Sequence, residues 1–342
     1  MEKQVFDEVE ISIIILYYNT YEKTKKSLEA CYQLVNVNYH VVIVDNFSLE
    51  EPIKKLLDNI NNKYTLIKND ANLGFSAGVN TGIRYVQKHI KSKYIAVVNS
   101  DLYLDRYSLR NAIDSLDLLD KKLPIGALTG KIYFEDRQTI WQAGGHINML
   151  TMSGIGKGYK EKDSPLFSKQ SLTGWASGAF SVFPIEVLNN IGLFSEDFFF
   201  GQEEWDISIR LLRNGYHIYY DPKVIATHSV GGSYKARHPV LNTFNGYCNK
   251  IIFARKHLSS YKFYFWLIVF QVRTFLLIIP ISLKHTFVLK DFILQFKAIL
   301  LALICGPFVY KTSNNFLTKI SRLIGTSKTW PEYWGGEKFP KN

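Results

Sequence analysis

Residues Ile11–Tyr18 read ISIIILYY and stop at Asn19; residues Tyr39–Ser48 read YHVVIVDNFS and close on Asp45-Asn46 before the turn. Both are short, nearly unbroken apolar runs rich in β-branched residues, the pattern of strands buried on both faces. Between them TYEKTKKSLEACYQL (Thr20–Leu34) repeats Leu28, Cys31 and Leu34 at helical spacing. The alternation continues outward. EEPIKKLLDNI (Glu50–Ile60) predicts a helix with Pro52 in its first turn, and YTLIKN (Tyr64–Asn69) a third strand. SAGVNTGIRYVQKHI (Ser76–Ile90) predicts a helix and KYIAVVNSD (Lys93–Asp101) a fourth strand. Strand following helix in this rhythm predicts an α/β fold on a parallel sheet.

After about residue 125 the rhythm loosens. TGKIYF (Thr129–Phe134) and TIWQAGGHI (Thr139–Ile147) predict strands of antiparallel character, and MSGIGKGYKEKDSP (Met152–Pro165) a long mobile loop. GWASGAFSVFP (Gly174–Pro184) predicts a strand, IEVLNNIG (Ile185–Gly192) a short helix, and YHIYYDPKVIATHS (Tyr216–Ser229) a return to strand. With 342 residues, 47% of them hydrophobic, the chain can bury one large or two ordinary domains.

Its net charge of +11 is unevenly spread. Residues 234–342 hold 16 Lys and Arg against 3 Asp and Glu, whereas residues 1–233 hold 25 against 27. A slightly acidic body therefore carries a basic, aromatic tail suited to phosphate-rich partners. FYFWLIVFQVRTFLLIIPISL (Phe263–Leu283) is long enough to cross a bilayer, yet Gln271, Arg273 and Pro280 interrupt it. Gln295 and Lys297 likewise interrupt FILQFKAILLALICGPFVY (Phe292–Tyr310). Charges mid-span are costly in lipid, so amphipathic helices lying on an anionic inner leaflet are expected in preference to two clean spans. Aliphatic runs such as LLIIPISL suit lipid and make poor nucleic-acid surfaces. Three cysteines without metal-ligand spacing, Cys31, Cys248 and Cys305, predict neither a disulfide framework nor a zinc site. MEKQVFDEVE lacks the basic and apolar regions of a signal peptide, which sets the expectation of a protein on the cytoplasmic face of the membrane.

Ligands of parallel α/β sheets sit at the carboxyl ends of the strands. Asn19, Asp45 and Asn99-Ser100-Asp101 occupy those ends, and each singly is an ordinary turn residue. NDANLGFSAGVNTG (Asn69–Gly82) adds small residues where a loop enters a helix, allowing close approach of a diphosphate. GQEEWDISIR (Gly201–Arg210) places three carboxylates in four positions. Acids there favour the positive end of a helix, Asp206 can pair with Arg210, and Gly215 can end the helix.

In order, IIILYYN, VVIVDNFS, NLGFSAGVN, VVNSD, WQAGG, SGAFSVF, GLFSEDFFFGQEEWDISIR, THSVGGS and NKIIFARKH closely resemble the family 2 glycosyltransferases, in particular a bacterial rhamnosyltransferase-like branch. The resemblance spans roughly residues 10–257. It implies the GT-A fold, a Rossmann-like, mostly parallel sheet flanked by helices, with a nucleotide-binding half over about 1–125 and an acceptor half over about 126–257. Residues 258–342 then form the helical membrane-associating tail.

By the same resemblance Tyr18, Asn19, Asp45, Asn72, Gly74, Phe75, Asn80, Asn99 and Ser100 border the donor nucleotide. Asp101 is the principal ligand of Mg2+ or Mn2+ in a motif whose first acid is replaced by Asn99, and His228 joins it. Glu204 stands where the family carries its general base, with Asp replaced by Glu, and Glu203 orients the base or the acceptor. FSED departs from the Phe-Asp-Glu common in relatives, with Ser195 at the altered position. Trp175, Gly178, Trp205 and Asp206 are acceptor-side candidates, with core packing the competing role for the tryptophans. The implied reaction is an inverting transfer, best fitted by L-rhamnose from dTDP-rhamnose, to a lipid-linked or cell-surface glycan. A UDP-linked galactofuranose or hexose is the alternative donor. A non-catalytic relative is disfavoured by the intact acids of NSD and EEWD.

Overall fold

The computed structural model describes residues 8–48, 57, 64–120, 122–229, 239–284 and 289–326. Except for Leu57, the helix expected over Glu50–Ile60, Pro52 included, lies outside the described residues, as do Val230–Ser233 of THSVGGS.

The apolar runs form the expected parallel core. Strand β1 (Val9–Tyr17) is followed by α1 (Tyr21–Tyr32), β2 (Tyr39–Asp45), β3 (Tyr64–Lys68), α2 (Gly74–His89) and β4 (Ser92–Asn99). The sheet order β3-β2-β1-β4 is parallel throughout, with Tyr17 level with Asp45 and Leu16 level with Asn99. That register brings the polar strand ends to one edge. Ile11, Ile13 and Ile15 point into one apolar cluster and Ile14 into another, so both faces of β1 are covered. Period-two alternation of an all-apolar strand between two helical layers is what this placement requires.

Next come β5 (Leu102–Leu104), α3 (Ser108–Asp120), β6 (Ile125–Phe134) and β7 (Ile140–Gln142). They are followed by β8 (Gly145–Asn148), β9 (Ser153–Gly156), β10 (Ser171–Thr173) and β11 (Phe180–Pro184). After α4 (Ile185–Ile191) and α5 (Glu203–Arg213), β12 (His217–His228) closes the sheet. The ten-stranded sheet runs β10-β12-β6-β11-β4-β1-β2-β3, with β5 on β12 and β7 on β6. β11 is antiparallel to β4 and to β6, while β6 and β12 are parallel. Met152–Pro165, expected as a mobile loop, is instead partly ordered by backbone pairing. β9 joins β8 in an antiparallel hairpin, and Thr139 bridges Lys162. Ser153-Gly154-Ile155-Gly156 has one apolar side chain, so no hydrophobic run announces the strand.

Beyond β12 the described residues include four helices: α6 (Pro239–His257), α7 (Ser260–Lys284), α8 (Leu289–Cys305) and α9 (Asn314–Ile324). These helices share a core cluster with Met152, Phe198 and Phe199, so they pack directly on the β8–β9 turn and on the loop ahead of α5. Two stretches, Ser260–Ile279 and Asp291–Phe308, are long and apolar enough to cross a membrane by length and composition. Along α7, Phe265, Ile268, Val272, Phe275, Leu276 and Ile279 are all exposed.

Candidate active site

The strand ends are tied together by an asparagine network. Asn46 Nδ2 donates to Asn72 Oδ1 at 3.0 Å and to the Gly74 carbonyl at 3.1 Å. Its Oδ1 accepts from Asn69 Nδ2 at 3.0 Å and from the Leu73 amide at 3.1 Å. All of this side chain's polar capacity is thus used to hold the loop that leads into α2. Asn46 is missing from the expected site; the signal that could have found it is its place directly after Asp45 at the close of a buried strand. Asn72 also bonds the Tyr18 hydroxyl, whose pKa burial pushes up, and accepts from the Gly74 amide at 2.9 Å. Asn19 has φ 49°, and its amide donates to Ser48 Oγ at 3.1 Å. The Ser48 amide in turn donates to Asp45 Oδ1 at 2.8 Å. Tyr18, Asn19, Asp45 and Asn72 are therefore neighbours around one loop system.

Gly74, Phe75 and Asn80 support that loop from below. At Gly74, φ is +84° and an added Cβ would lie 2.3 Å from the Phe199 carbonyl oxygen, so only glycine fits. The Phe75 amide donates to that same oxygen at 2.8 Å, and its ring meets Phe194 edge-on. Asn80 is fully engaged by the backbone of Phe194 on both its amide atoms and by Glu196 Oε1 at 3.0 Å.

The Asn99-Ser100-Asp101 motif lies between β4 and β5. Ser100 Oγ is 3.0 Å from Thr20 Oγ1. Because β5 pairs with β12 so that Leu102 faces His228, Asp101 is carried to that histidine. His228 Nε2 stands 3.0 Å from Asp101 Oδ1, its ring edge-on to Trp141, and both residues are buried. Lys23 Nζ lies 3.9 Å from Asp101 Oδ2 and donates to the Ser229 carbonyl. No group of three or more His, Cys, Asp or Glu suited to a metal occurs among the described residues. The pair nevertheless fits a divalent cation. An oxygen and a nitrogen about 3 Å apart match adjacent corners of an octahedron with bonds of about 2.1 Å, and magnesium commonly takes few protein ligands, completing its shell with phosphate and water.

Gly201 and Gln202 both have positive φ, and this double left-handed turn starts α5 directly at Glu203. Glu203, Glu204 and Asp206 occupy its first turn, Arg210 and Arg213 its last, complementing the helix dipole. Gly215, at φ +80°, follows the helix as expected. The three acids then part company. Asp206 is fully buried, accepting from Arg210 Nε at 2.8 Å and facing His257 Nε2 at 2.9 Å. Arg210 also donates to the carbonyls of Ile191, Gly192 and Leu193. Asp206 is thereby placed in an interhelical tie. Glu203 is buried. Glu204 is half-buried, accepts no hydrogen bond from another described side chain, and burial pushes its pKa up to about 7.

Gly178 joins the two halves of the site. A Cβ there would lie 3.5 Å from the Glu204 carboxyl, and its neighbour Ala179 accepts the Asn99 amide at 3.0 Å. Trp175 meets Trp205 edge-on at 6.0 Å, beneath the glycines of the β8–β9 hairpin, and neither indole N–H has a partner among the described residues.

A Glycosyl transferase family 2 model matches residues 12–183, half of the chain, covering the strand ends, the asparagine loop, Asp101 and Gly178. The chain belongs to glycosyltransferase family 2. Solved structures agree on the GT-A-like architecture. GalNAc-T7 with UDP, GalNAc and Mn2+ is 15% identical, with a TM-score of 0.59, over 78% of this chain and 51% of that one. Residues 1–349 of S. aureus TarS are 14% identical, with a TM-score of 0.52, over 95% of this chain and 89% of that one. The mannosyltransferase PcManGT from Pyrobaculum calidifontis, solved with GDP-Man and Mn2+, is 14% identical, with a TM-score of 0.50, over 95% and 78%. At such identities the likeness is one of fold. One curated protein, the dihydrolipoyllysine-residue acetyltransferase component of the pyruvate dehydrogenase complex of Buchnera aphidicola subsp. Acyrthosiphon pisum (strain APS), is 31% identical over 101 residues. That match spans 29% of this chain and 26% of that protein. The family 2 chain therefore covers about half of the GalNAc-T7 chain and about a quarter of the curated protein.

Proposed function

We propose that this glycosyltransferase moves a sugar from a nucleoside-diphosphate donor to an acceptor hydroxyl with inversion. The preferred donor is dTDP-L-rhamnose, and the acceptor is a lipid-linked glycan at the cytoplasmic face of the membrane. The observation that carries the reading is the short connection from Asn99 through Ala179 and Gly178 to Glu204, which joins the Asp101 motif to a basic carboxylate. Tyr18, Asn19, Asp45 and Asn72 surround the nucleotide, and Glu204 takes the acceptor proton as the acceptor oxygen bonds to the anomeric carbon. The bond from that carbon to the diphosphate breaks in the same displacement. A carboxylate with a pKa near 7 is a far better base at neutral pH than one at 4.5. Asp101 and His228 would hold a divalent cation, which when bound neutralises charge on the leaving diphosphate. The order of sequence motifs supports the rhamnose donor, and the basic tail with exposed apolar α7 supports the membrane-bound acceptor.

The test is nucleotide release, with donor-binding heats, from a panel of dTDP- and UDP-sugars in Mn2+, in Mg2+ and in EDTA. Metal-dependent release from dTDP-rhamnose is expected. Release from a UDP-sugar alone would replace the donor and keep the mechanism. Neither release nor binding for any donor would end the enzymatic reading.

A further inference from the structure

A cavity of about 400 Å³ opens between the start of α5, α6 and α7. Gln202 and Trp205 form its inner wall, one residue from Glu203 and Glu204. Its outer wall carries Lys250 and Arg273, and no carboxylate lines it. Lys250 Nζ donates to Ser153 Oγ at 2.8 Å. Among the described residues neither cation makes an ion pair. Burial, and then the neighbouring Arg273, pull the Lys250 pKa down. Lys250 is partly buried and Arg273 stands exposed at the mouth of the cavity, so two positive charges face it without a counter-ion, and an anion is the complement they lack. Arg273 is adjacent in sequence to Val272, on the exposed apolar face of α7. From Glu204 outward the molecule thus offers, in order, a base, a cationic cavity and a lipid-compatible surface.

We infer that this cavity holds the diphosphate of the acceptor lipid, with Lys250 and Arg273 binding the phosphoryl oxygens and the exposed face of α7 receiving the hydrocarbon chain. The inference rests on the lipid-linked acceptor proposed above and assigns it a binding site separate from the donor nucleotide. Charge fixes the head at the cavity, and the apolar helix excludes a free inorganic anion as the preferred occupant.

The test is flotation of the full-length protein with phosphatidylcholine vesicles doped with undecaprenyl diphosphate, or with phosphatidylglycerol at equal charge. Wild type is expected to bind the lipid diphosphate more tightly than phosphatidylglycerol. Lys250→Gln and Arg273→Gln should each weaken that binding at least about tenfold, as loss of a charge-assisted hydrogen bond does. Circular dichroism confirms that both variants are folded. Equal binding to the two vesicle types, variants that bind like wild type, or displacement by equimolar inorganic diphosphate would each overturn the assignment. Wild-type nucleotide release, measured alongside, reports separately on the proposed reaction.

Discussion

Glu204, the base proposed above, differs by one methylene from the Asp of the family and sits in an unusual environment. Its carboxyl, beside Gly178, is held by burial at a pKa of about 7 in place of 4.5. The base proposed here must be ionised, so kcat/KM is expected to rise with pH through about 7 and level off above. Glu204→Gln should lower kcat by roughly 10²–10⁴-fold while donor binding persists. A pH profile without that rising limb would remove Glu204 from the reaction. Stability runs the other way. The folded state keeps this proton where the unfolded chain has released it, so the contribution is complete below about 4.5 and is lost as pH rises through about 7. The strand-end residues were legible because polar groups closing apolar strands have few structural reasons to cluster. Asn46 was not, because its four hydrogen bonds reach loops that only the fold brings together.

At the scale of elements, α5 depends on Asp206, which fastens it to the end of α6 through His257 and to the end of α4 through Arg210. Asp206→Asn leaves Arg210 without its carboxylate, and a loss of about 3 kcal/mol is expected from breaking such a buried pair. A lower midpoint in urea unfolding would register it; an unchanged midpoint would show that the tie is dispensable. His257 and Arg210 hold the Asp206 pKa down against burial, so its contribution is present above 3.8 and fades as the pH falls through the lowered folded value. The helix was readable from its acids, arginines and closing glycine; the distinct fates of its three acids were not. Periodicity reports which face of a helix is apolar, whereas His257 arrives from a segment fifty-one residues away. β9 escaped notice for the opposite reason, since backbone pairing alone makes it a strand.

Across the whole molecule, charge and apolar surface are segregated, and both lie on the helical tail. Attachment to an anionic membrane should therefore combine a salt-sensitive and a salt-resistant part. Raising ionic strength from 0.1 to 1 M shortens the screening length from about 10 to about 3 Å. Binding to anionic vesicles is expected to weaken markedly but to remain measurable. Complete release in high salt would leave the apolar face of α7 without a part in attachment. The division between acidic body and basic tail was visible in the sequence. The packing of that tail on the loop ahead of α5 was not, because Phe198, Phe199 and the tail helices are separated by long stretches of chain.

One residue gives that packing a consequence. The Phe199 amide donates to Thr312 Oγ1 at 2.9 Å, while its carbonyl accepts from Phe75 at the head of α2. Thr312, between α8 and α9, also donates its backbone amide to the Asp197 carbonyl. A side chain from the helical tail thus positions an oxygen that shapes the asparagine loop at the head of α2. Thr312→Val keeps the volume and deletes the hydroxyl, which also donates to Asn249 Oδ1 at 3.0 Å; loss of its bond to the Phe199 amide alone should raise the dissociation constant for nucleotide by about fivefold, the scale of one neutral hydrogen bond. Titration calorimetry in detergent and on vesicles would then reveal an enzyme whose grip on a soluble substrate is mechanically geared to its helical tail, the part proposed to rest on the bilayer.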